Sequence, residues 1–187
     1  MAKKNSKHPA DEYTFLAIRV ERYNASAEAS LNLDLKMSRP LFARDDHLVY
    51  TFASTLKISG VSTYPESRAG ERYEVTVRGE AIHAGDFNLT LRDVQKRDAH
   101  GVPVYRTYRG ERLPIYQPPP GIAFIERRRG EAIWDLGVFV APRLVSDMLV
   151  LLAQPHRPLF LSLHEKKLGR QRWIESIGLQ TTDPAEE

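Results

Sequence analysis

Arginine and tyrosine side chains are interleaved in one segment of the chain, residues 106–112. Tyr105 and Tyr116 flank this segment, and Lys96 and Arg97 precede it. Guanidinium groups bind phosphates and carboxylates, while tyrosine rings stack on nucleobases or anchor protein interfaces. The pattern therefore predicts a surface that binds a nucleic acid or a protein. The structural alternative is the solvated face of an edge hairpin, where charge and proline discourage strand addition.

Positive charge is concentrated around this segment. Residues 92–129 include nine arginines and lysines and only four acidic residues, whereas the whole chain has a formal net charge of +3. A turn of three arginines at 127–129 contributes to this excess, and a second basic hairpin lies at 166–172. The sequence leaves open whether the two basic turns share one surface. The predicted partner-binding residues are Tyr105, Arg106, Tyr108, Arg109, Arg112, Tyr116, Arg127, Arg128 and Arg129.

Two groupings of histidine with aspartate are the candidates for acid–base chemistry. His47 follows Asp45 and Asp46, and His83 lies near Asp86. A carboxylate can orient a histidine as a general base. Both groupings fall in predicted turns, however, where aspartate is expected for backbone reasons. The six histidines are otherwise scattered along the chain, so no metal site is predicted.

Several classes of enzyme are excluded by what the sequence lacks. There is no cysteine, which rules out disulfides, thiolate metal sites and cysteine nucleophiles. No serine stands in a Gly-x-Ser-x-Gly motif, and neither a phosphate-binding loop nor a Gly-x-Gly-x-x-Gly fingerprint occurs. We therefore expect a protein that is not an enzyme and that needs no cofactor.

The elements that must position these residues are mostly β-strands. Leu31, Leu33, Leu35 and Met37 alternate with polar residues, and the same two-residue period recurs along the chain. Such alternation is typical of a strand with one side in a core and the other in water. Predicted strands span 13–22, 31–37, 48–58, 72–78, 122–126, 132–140, 159–163 and 173–179, with short ones near Val104 and Ile115 and another through Phe87–Leu91. Turns are predicted at 24–29 and 60–70.

One helix is predicted, at about 142–153 near the C-terminus. Pro142 suits a first helical position, and apolar residues follow at spacings of three and four. About ten strands with one helix predict an all-β fold, a two-sheet antiparallel β-sandwich of the jelly-roll kind. A closed β-barrel is the alternative. The wide apolar side of the helix must be covered by the strands or by a second protomer.

Composition predicts one soluble domain at 12–182. Of the 187 residues, 42% are hydrophobic and 27% are charged, as in ordinary globular proteins. Residues 1–11 are predicted to be a disordered basic tail, and 183–187 a frayed acidic tail. No apolar run approaches the roughly 20 residues of a membrane helix, so no membrane partner is expected. A cytoplasmic location is expected from the absence of a signal-peptide pattern and of cysteine.

These features favour a non-enzymatic binding or assembly module that recognises a protein partner through the long loop 96–121. Tyr105, Tyr108, Tyr116 and Arg109 are the expected anchors, since tyrosine and arginine are enriched at interface hot spots. A nucleic-acid surface across 105–129 is the alternative function. A small-molecule-binding barrel or a hydrolase using His83 is a remote one. The sequence leaves open whether the chain forms a homo-oligomer.

Overall fold

The computed structural model describes residues 12–31, 50–80, 90–154 and 157–184. Within these ranges the chain forms nine β-strands and one α-helix, and a short 3-10 turn at Glu66–Arg68 lies between the second and third strands. In chain order the elements are β1 Glu12–Leu31, β2 Tyr50–Tyr64, β3 Arg72–Glu80, β4 Tyr105–Tyr108, β5 Glu111–Pro114, β6 Ala123–Arg127, β7 Ile133–Val140, α1 Pro142–Leu152, β8 Phe160–Leu168 and β9 Gln171–Gln180.

Seven of the strands close into a barrel in the order β1-β2-β3-β7-β6-β9-β8, and β4 and β5 form a separate two-stranded sheet. The all-β prediction is confirmed, and the alternative closed barrel replaces the predicted two-sheet sandwich. The alternation of apolar and polar residues along a strand is the same in a sandwich and in a barrel, so it does not distinguish them. The difference lies in β1, which pairs with β2 along one edge and with β8 along the other and so closes the sheet.

One strand pair departs from the predicted antiparallel arrangement. β3 and β7 run parallel, with Val75 beside Leu136, while the other strand pairs of the barrel are antiparallel. After β3 the chain re-enters the barrel at β6, which lies between β7 and β9 and runs opposite to β3. The chain then reverses direction into β7. The end of β3 and the start of β6 therefore lie at the same end of the barrel.

Of two predicted turns, one lies wholly and the other partly in a strand of the structure. β1 continues through 24–29, because each of these residues lies opposite a residue of β2. β2 likewise continues through Gly60, where the sequence predicts a loop, up to Tyr64. Both segments are rich in small or polar residues, so local propensity is weak and pairing with a distant strand decides their structure. The predicted strand at 31–37 lies outside the described residues except for Leu31, and the one through Phe87 does so up to residue 89.

The core fills the barrel with inward-pointing residues two apart on each strand. Leu16 and Ile18 of β1, Leu56 and Ile58 of β2, and Val75 of β3 are each at most 2% exposed. Strands β7, β8 and β9 add further aliphatic side chains to the same cluster, namely Leu136, Val138, Leu161, Leu163 and Ile174.

Helix α1 covers one end of this core, as the apolar spacing predicts. Val145, Met148 and Leu152 are buried, and the helix packs on β2, β3 and β9. Because α1 follows β7 directly, it sits at the end where β3 and β7 finish, which we call the helix end. The opposite end is called the charged end. It contains the starts of β3 and β7 and the turns between β6 and β7 and between β8 and β9.

Candidate functional site

Residues 94–117 form an antiparallel arm between β3 and β6, and we call this segment the arm. The Gln117 amide donates to the Val94 carbonyl at 2.8 Å, and the Lys96 amide donates to the Ile115 carbonyl at the same distance. The two short strands predicted near Val104 and Ile115 are thus parts of a longer hydrogen-bonded ribbon. β4 and β5 make its outer hairpin.

The arm contributes no side chain to the core. None of the residues 90–122 is buried, and every residue of 105–112 is exposed. Val102 is 55% exposed and Tyr108 is also 55% exposed. Packing against the barrel core therefore does not account for the arginine and tyrosine residues of the arm.

The hairpin closes in a two-residue turn at Arg109 and Gly110. Their φ angles are +50° and +84°, and the flanking residues Tyr108 and Glu111 are paired. Two positive φ angles define a type I′ turn, the geometry that matches the twist of a β-hairpin. Glycine adopts this conformation freely, whereas arginine rarely does, so Arg109 is held at the tip at some conformational cost.

Two arginines of the hairpin lie over tyrosine rings. The Arg112 guanidinium carbon is 4.6 Å from the centre of the Tyr105 ring, and that of Arg109 is 5.3 Å from the centre of the Tyr108 ring. These distances are those of cation–π contacts. Successive residues of β4 point to opposite sides, so Tyr105 and Tyr108 place one arginine–tyrosine stack on each side of the hairpin.

The other predicted residues of the arm are also exposed. Arg106 pairs with Leu113 across the hairpin. Tyr116 bridges to Gln95 at the base of the arm and is 42% exposed. Six of the nine predicted partner-binding residues therefore lie on one continuous structure, the arm.

The arginine turn lies elsewhere, at the charged end of the barrel. Arg127 and Arg129 are exposed, but Arg128 binds three carboxylates of its neighbourhood. Its Nη2 atom lies 2.7 Å from Glu74 and 3.0 Å from Asp135, and its Nη1 atom lies 3.3 Å from Glu131. Hydrogen bonds to Asp135 and Glu74 raise the pKa of Arg128 above its ordinary value. These contacts give Arg128 a role in holding the β6–β7 turn.

The two basic turns share the charged end of the barrel, because β6 and β9 run antiparallel with Ile125 opposite Arg172. Several of their cations are ion-paired. Lys167 lies 2.8 Å from Glu12, and Lys166 lies 3.7 Å from Glu175. This pairing reduces the positive potential that the sequence suggests for the shared surface.

A cluster of charged and aromatic side chains lies just inside the charged end. Glu165 is 1% exposed, yet its carboxylate accepts hydrogen bonds from Arg68 at 2.9 Å and from Arg172. Arg68 also binds Glu71 at 2.8 Å. Its guanidinium carbon lies 4.8 Å from the centre of the Trp134 ring. We call these five residues the charge cluster.

The environment of the charge cluster shifts two of its pKa values. Burial opposes the charge of Arg68, but hydrogen bonds to Glu71 and Glu165 outweigh it and raise the pKa of Arg68. Burial would likewise raise the pKa of Glu71, yet hydrogen bonds from Arg68 and Tyr73 hold that pKa below its ordinary value. These two contacts favour the charged forms of Arg68 and Glu71.

The charge cluster is a clamp between distant parts of the chain. It ties the turn Glu66–Arg68 to β8 and β9, and its carboxylates and guanidinium groups neutralise one another. None of the predicted sites includes this cluster, although the sequence contains one signal for it. Leu161, Leu163 and Glu165 share one side of β8, so an acidic residue stands at an inward position of a strand.

The described residues give no support to a metal or acid–base site. They contain no group of three or more histidine, cysteine, aspartate or glutamate residues that could hold a metal ion. His164 is exposed. Its ring centre lies 5.0 Å from that of Phe15 with the two rings tilted, and its Nδ1 atom lies 2.7 Å from the Ser176 hydroxyl. The candidates His47 and His83, with their neighbouring aspartates, lie outside the described residues.

Comparisons with known proteins return no relative from which function can be transferred. The chain matches no protein-family model, and neither the curated proteins nor the solved structures contain a match to it. In the part of the chain that is described, no helix has both the length and the apolar character needed to cross a membrane.

Proposed function

We propose that this protein is a non-enzymatic binding module that captures a protein partner with the arm. One observation carries the proposal. The arm is an ordered, hydrogen-bonded hairpin with no buried side chain, and it presents two arginine–tyrosine stacks to solvent. The rings of Tyr105 and Tyr108 are large contact surfaces that lose little conformational entropy on binding, because the stacked arginines already restrict them.

A protein partner is favoured over a nucleic acid by the composition of the arm. Asp98 and Glu111 are interspersed with the cations, and Val102 adds an exposed apolar side chain. A surface for single-stranded nucleic acid would need bare aromatic faces along a groove of uniform positive charge. Here one side of each hairpin tyrosine is already covered by arginine. A mixed surface of this kind is typical of a protein interface.

The test compares the wild-type protein with the variant Tyr108→Ala/Arg109→Asn. Asparagine accepts a positive φ more readily than other non-glycine residues, so the variant removes the stack and keeps the turn. Proteins captured from lysate, with and without nuclease, are identified by mass spectrometry. The captured protein is then purified and its Kd for each variant is measured. We expect at least a tenfold weaker Kd for the arm variant, since hot-spot residues contribute about 2 kcal/mol or more.

The matched control is Arg78→Ala/Phe139→Ala, which removes an exposed arginine–aromatic contact from the barrel wall. It should bind the partner as the wild type does. Equal binding by the arm variant would contradict the proposal. Recovery of nucleic acid alone, with an affinity that falls steeply with salt, would instead favour the alternative function, because phosphate contacts release counterions.

A further inference from the structure

Strand β1 has an edge that the barrel leaves open. Residues 12–19 pair with β8, and the Val20 amide donates to the Leu159 carbonyl at 2.8 Å. Beyond this point β1 continues to Leu31 and pairs with β2 along one edge. Residues 21–29 are all exposed, and in the described part of the chain no strand pairs with their other edge. We call residues 21–29 the open edge.

The open edge has little of the usual protection against strand addition beyond its first two residues. Exposed edges in natural proteins are typically blocked by proline, by charged side chains, especially lysine, by bulges or by very short strands. β1 contains no proline, no glycine and no lysine over its 20 residues. Of its two register shifts, the one at Ala17/Ile18 lies before the open edge, and the one at Val20/Arg22 reaches only its first residues. Its side chains there are mostly alanine, serine and asparagine, which leave room for a neighbouring strand.

We propose that the open edge pairs with the same edge of a second copy of this chain, antiparallel about a twofold axis at Ala25. In that register Arg22 of each copy lies opposite Glu28 of the other, so two ion pairs form. When two strands are related by a twofold axis perpendicular to the sheet, residues opposite each other must project from the same face of the sheet. The possible registers therefore differ by steps of two residues. Among registers centred within the open edge, and counting only the described residues 12–31 of β1, the one at Ala25 alone places opposite charges directly across from each other.

The neighbouring side chains fit this register. On the face of the sheet that carries Tyr23, the ring of Tyr23 in each copy would lie opposite the small side chain of Ala27 in the other copy. The small side chain leaves room for the large ring. Within β1 and β2, Arg22 lies opposite Ser59 and Glu28 lies opposite Ala53. Neither charged residue therefore has a cross-strand partner of opposite charge on β2, and each can pair with a charge directly opposite it on an added strand.

Charge reversal tests the register. Sedimentation analysis is run on the wild type, Arg22→Glu, Glu28→Arg, the double exchange Arg22→Glu/Glu28→Arg, and an equimolar mixture of the two single variants. Each single variant creates two like-charged pairs, so we expect its self-association to weaken roughly tenfold or more. The double exchange restores both attractive pairs. The mixture should form heterodimers, because one variant supplies only acidic and the other only basic residues at the two positions.

Two results would overturn the inference. One is a wild type that stays monomeric up to roughly 1 mM, which corresponds to an association free energy weaker than about 4 kcal/mol. The other is a dimer that both single variants form as readily as the wild type. All these substitutions are at exposed positions, so unfolding does not confuse the comparison, and thermal melting of each variant checks this. The arm variant Tyr108→Ala/Arg109→Asn should dimerise normally, which separates this surface from the proposed partner site.

Discussion

Single residues at the charged end show how a buried charge is accommodated. Glu165 occupies an inward position of β8, where an uncompensated carboxylate would cost several kcal/mol. Two guanidinium groups reach it, one from the turn before β3 and one from β9. Arg68 also lies over the ring of Trp134, which covers it from solvent. The arrangement stabilises these groups only as a set.

Removing the carboxylate should therefore be costly. We expect Glu165→Gln to lower the free energy of unfolding by about 3 kcal/mol, because it leaves buried guanidinium charge without a full counter-charge. Chemical denaturation at pH 7 measures this. The control is Glu175→Gln, which breaks a more exposed ion pair to Lys166 and should cost less than about 1 kcal/mol. Equal losses for the two variants would mean that Glu165 contributes no more than a surface charge.

The charge cluster also shows how much of the site could be predicted from single residues of the sequence. The inward position of Glu165 was visible in the alternation of β8, and so was the exposure of the arginine and tyrosine residues in the arm. Its partner Arg68 lies 97 residues away in a segment with loop composition. No local pattern connects two such residues, since only the closure of the barrel brings them together.

Among the elements, the helix α1 packs closely on the barrel at a glycine of β3. Gly79 of β3 lies under the first turn of the helix. A Cβ atom built on it would lie 2.5 Å from the Ser54 hydroxyl, 2.9 Å from the Cα atom of Pro142 and 2.9 Å from a methyl of Val145. The helix can therefore sit this close to the strand only because position 79 has no side chain.

A pair of glycine substitutions tests this contact. Gly79→Ala should lower the free energy of unfolding by about 1–3 kcal/mol, because the helix or the strand must move to avoid overlap. Gly137→Ala should be neutral or slightly stabilising, since nothing lies within 4 Å of the added atom and alanine restricts the unfolded chain. Thermal or denaturant unfolding compares them. If Gly79→Ala proved as stable as Gly137→Ala, the close packing of α1 would not matter for stability.

Prediction at the level of elements was good where the pattern was local. The hairpins β6–β7 and β8–β9 and the helix α1 lie where alternation and apolar spacing put them. The second half of β1 could not be predicted from local sequence. Its alanine, serine and asparagine residues have no strand preference, and they pair with a partner some 30 residues away. The choice between sandwich and barrel also depended on a distant pairing, that of β1 with β8.

For the whole molecule, the balance of charge at one end couples stability to pH. Contacts with Arg68 and Tyr73 lower the pKa of Glu71 in the folded protein below its value in the unfolded chain. The unfolded state therefore binds more protons as the pH falls. The stabilisation is present above the ordinary carboxyl range, near pH 4, and is lost as the pH drops through the lower folded-state value.

We accordingly expect stability to decline in acid, and Glu71→Gln to reduce the slope of that decline. The measurement is the free energy of unfolding between about pH 7 and pH 3, from denaturant titrations of each protein. Glu66→Gln, at an exposed position of the same turn, serves as the control and should keep the wild-type slope. If the free energy of unfolding of Glu71→Gln declined in acid as steeply as that of the wild type, other carboxylates would determine the decline.

The parallel pairing of β3 with β7 has a consequence for how readily this chain can be redesigned. β3 ends and β6 begins at the helix end, on either side of β7. Two strand spacings of about 4.8 Å separate them sideways, and an offset of about three residues at about 3.3 Å each separates them along the strands, so these two points are roughly 14 Å from each other. A few residues can span that gap. We therefore expect that a short linker or a foreign hairpin can replace the arm, with the seven barrel strands keeping their order.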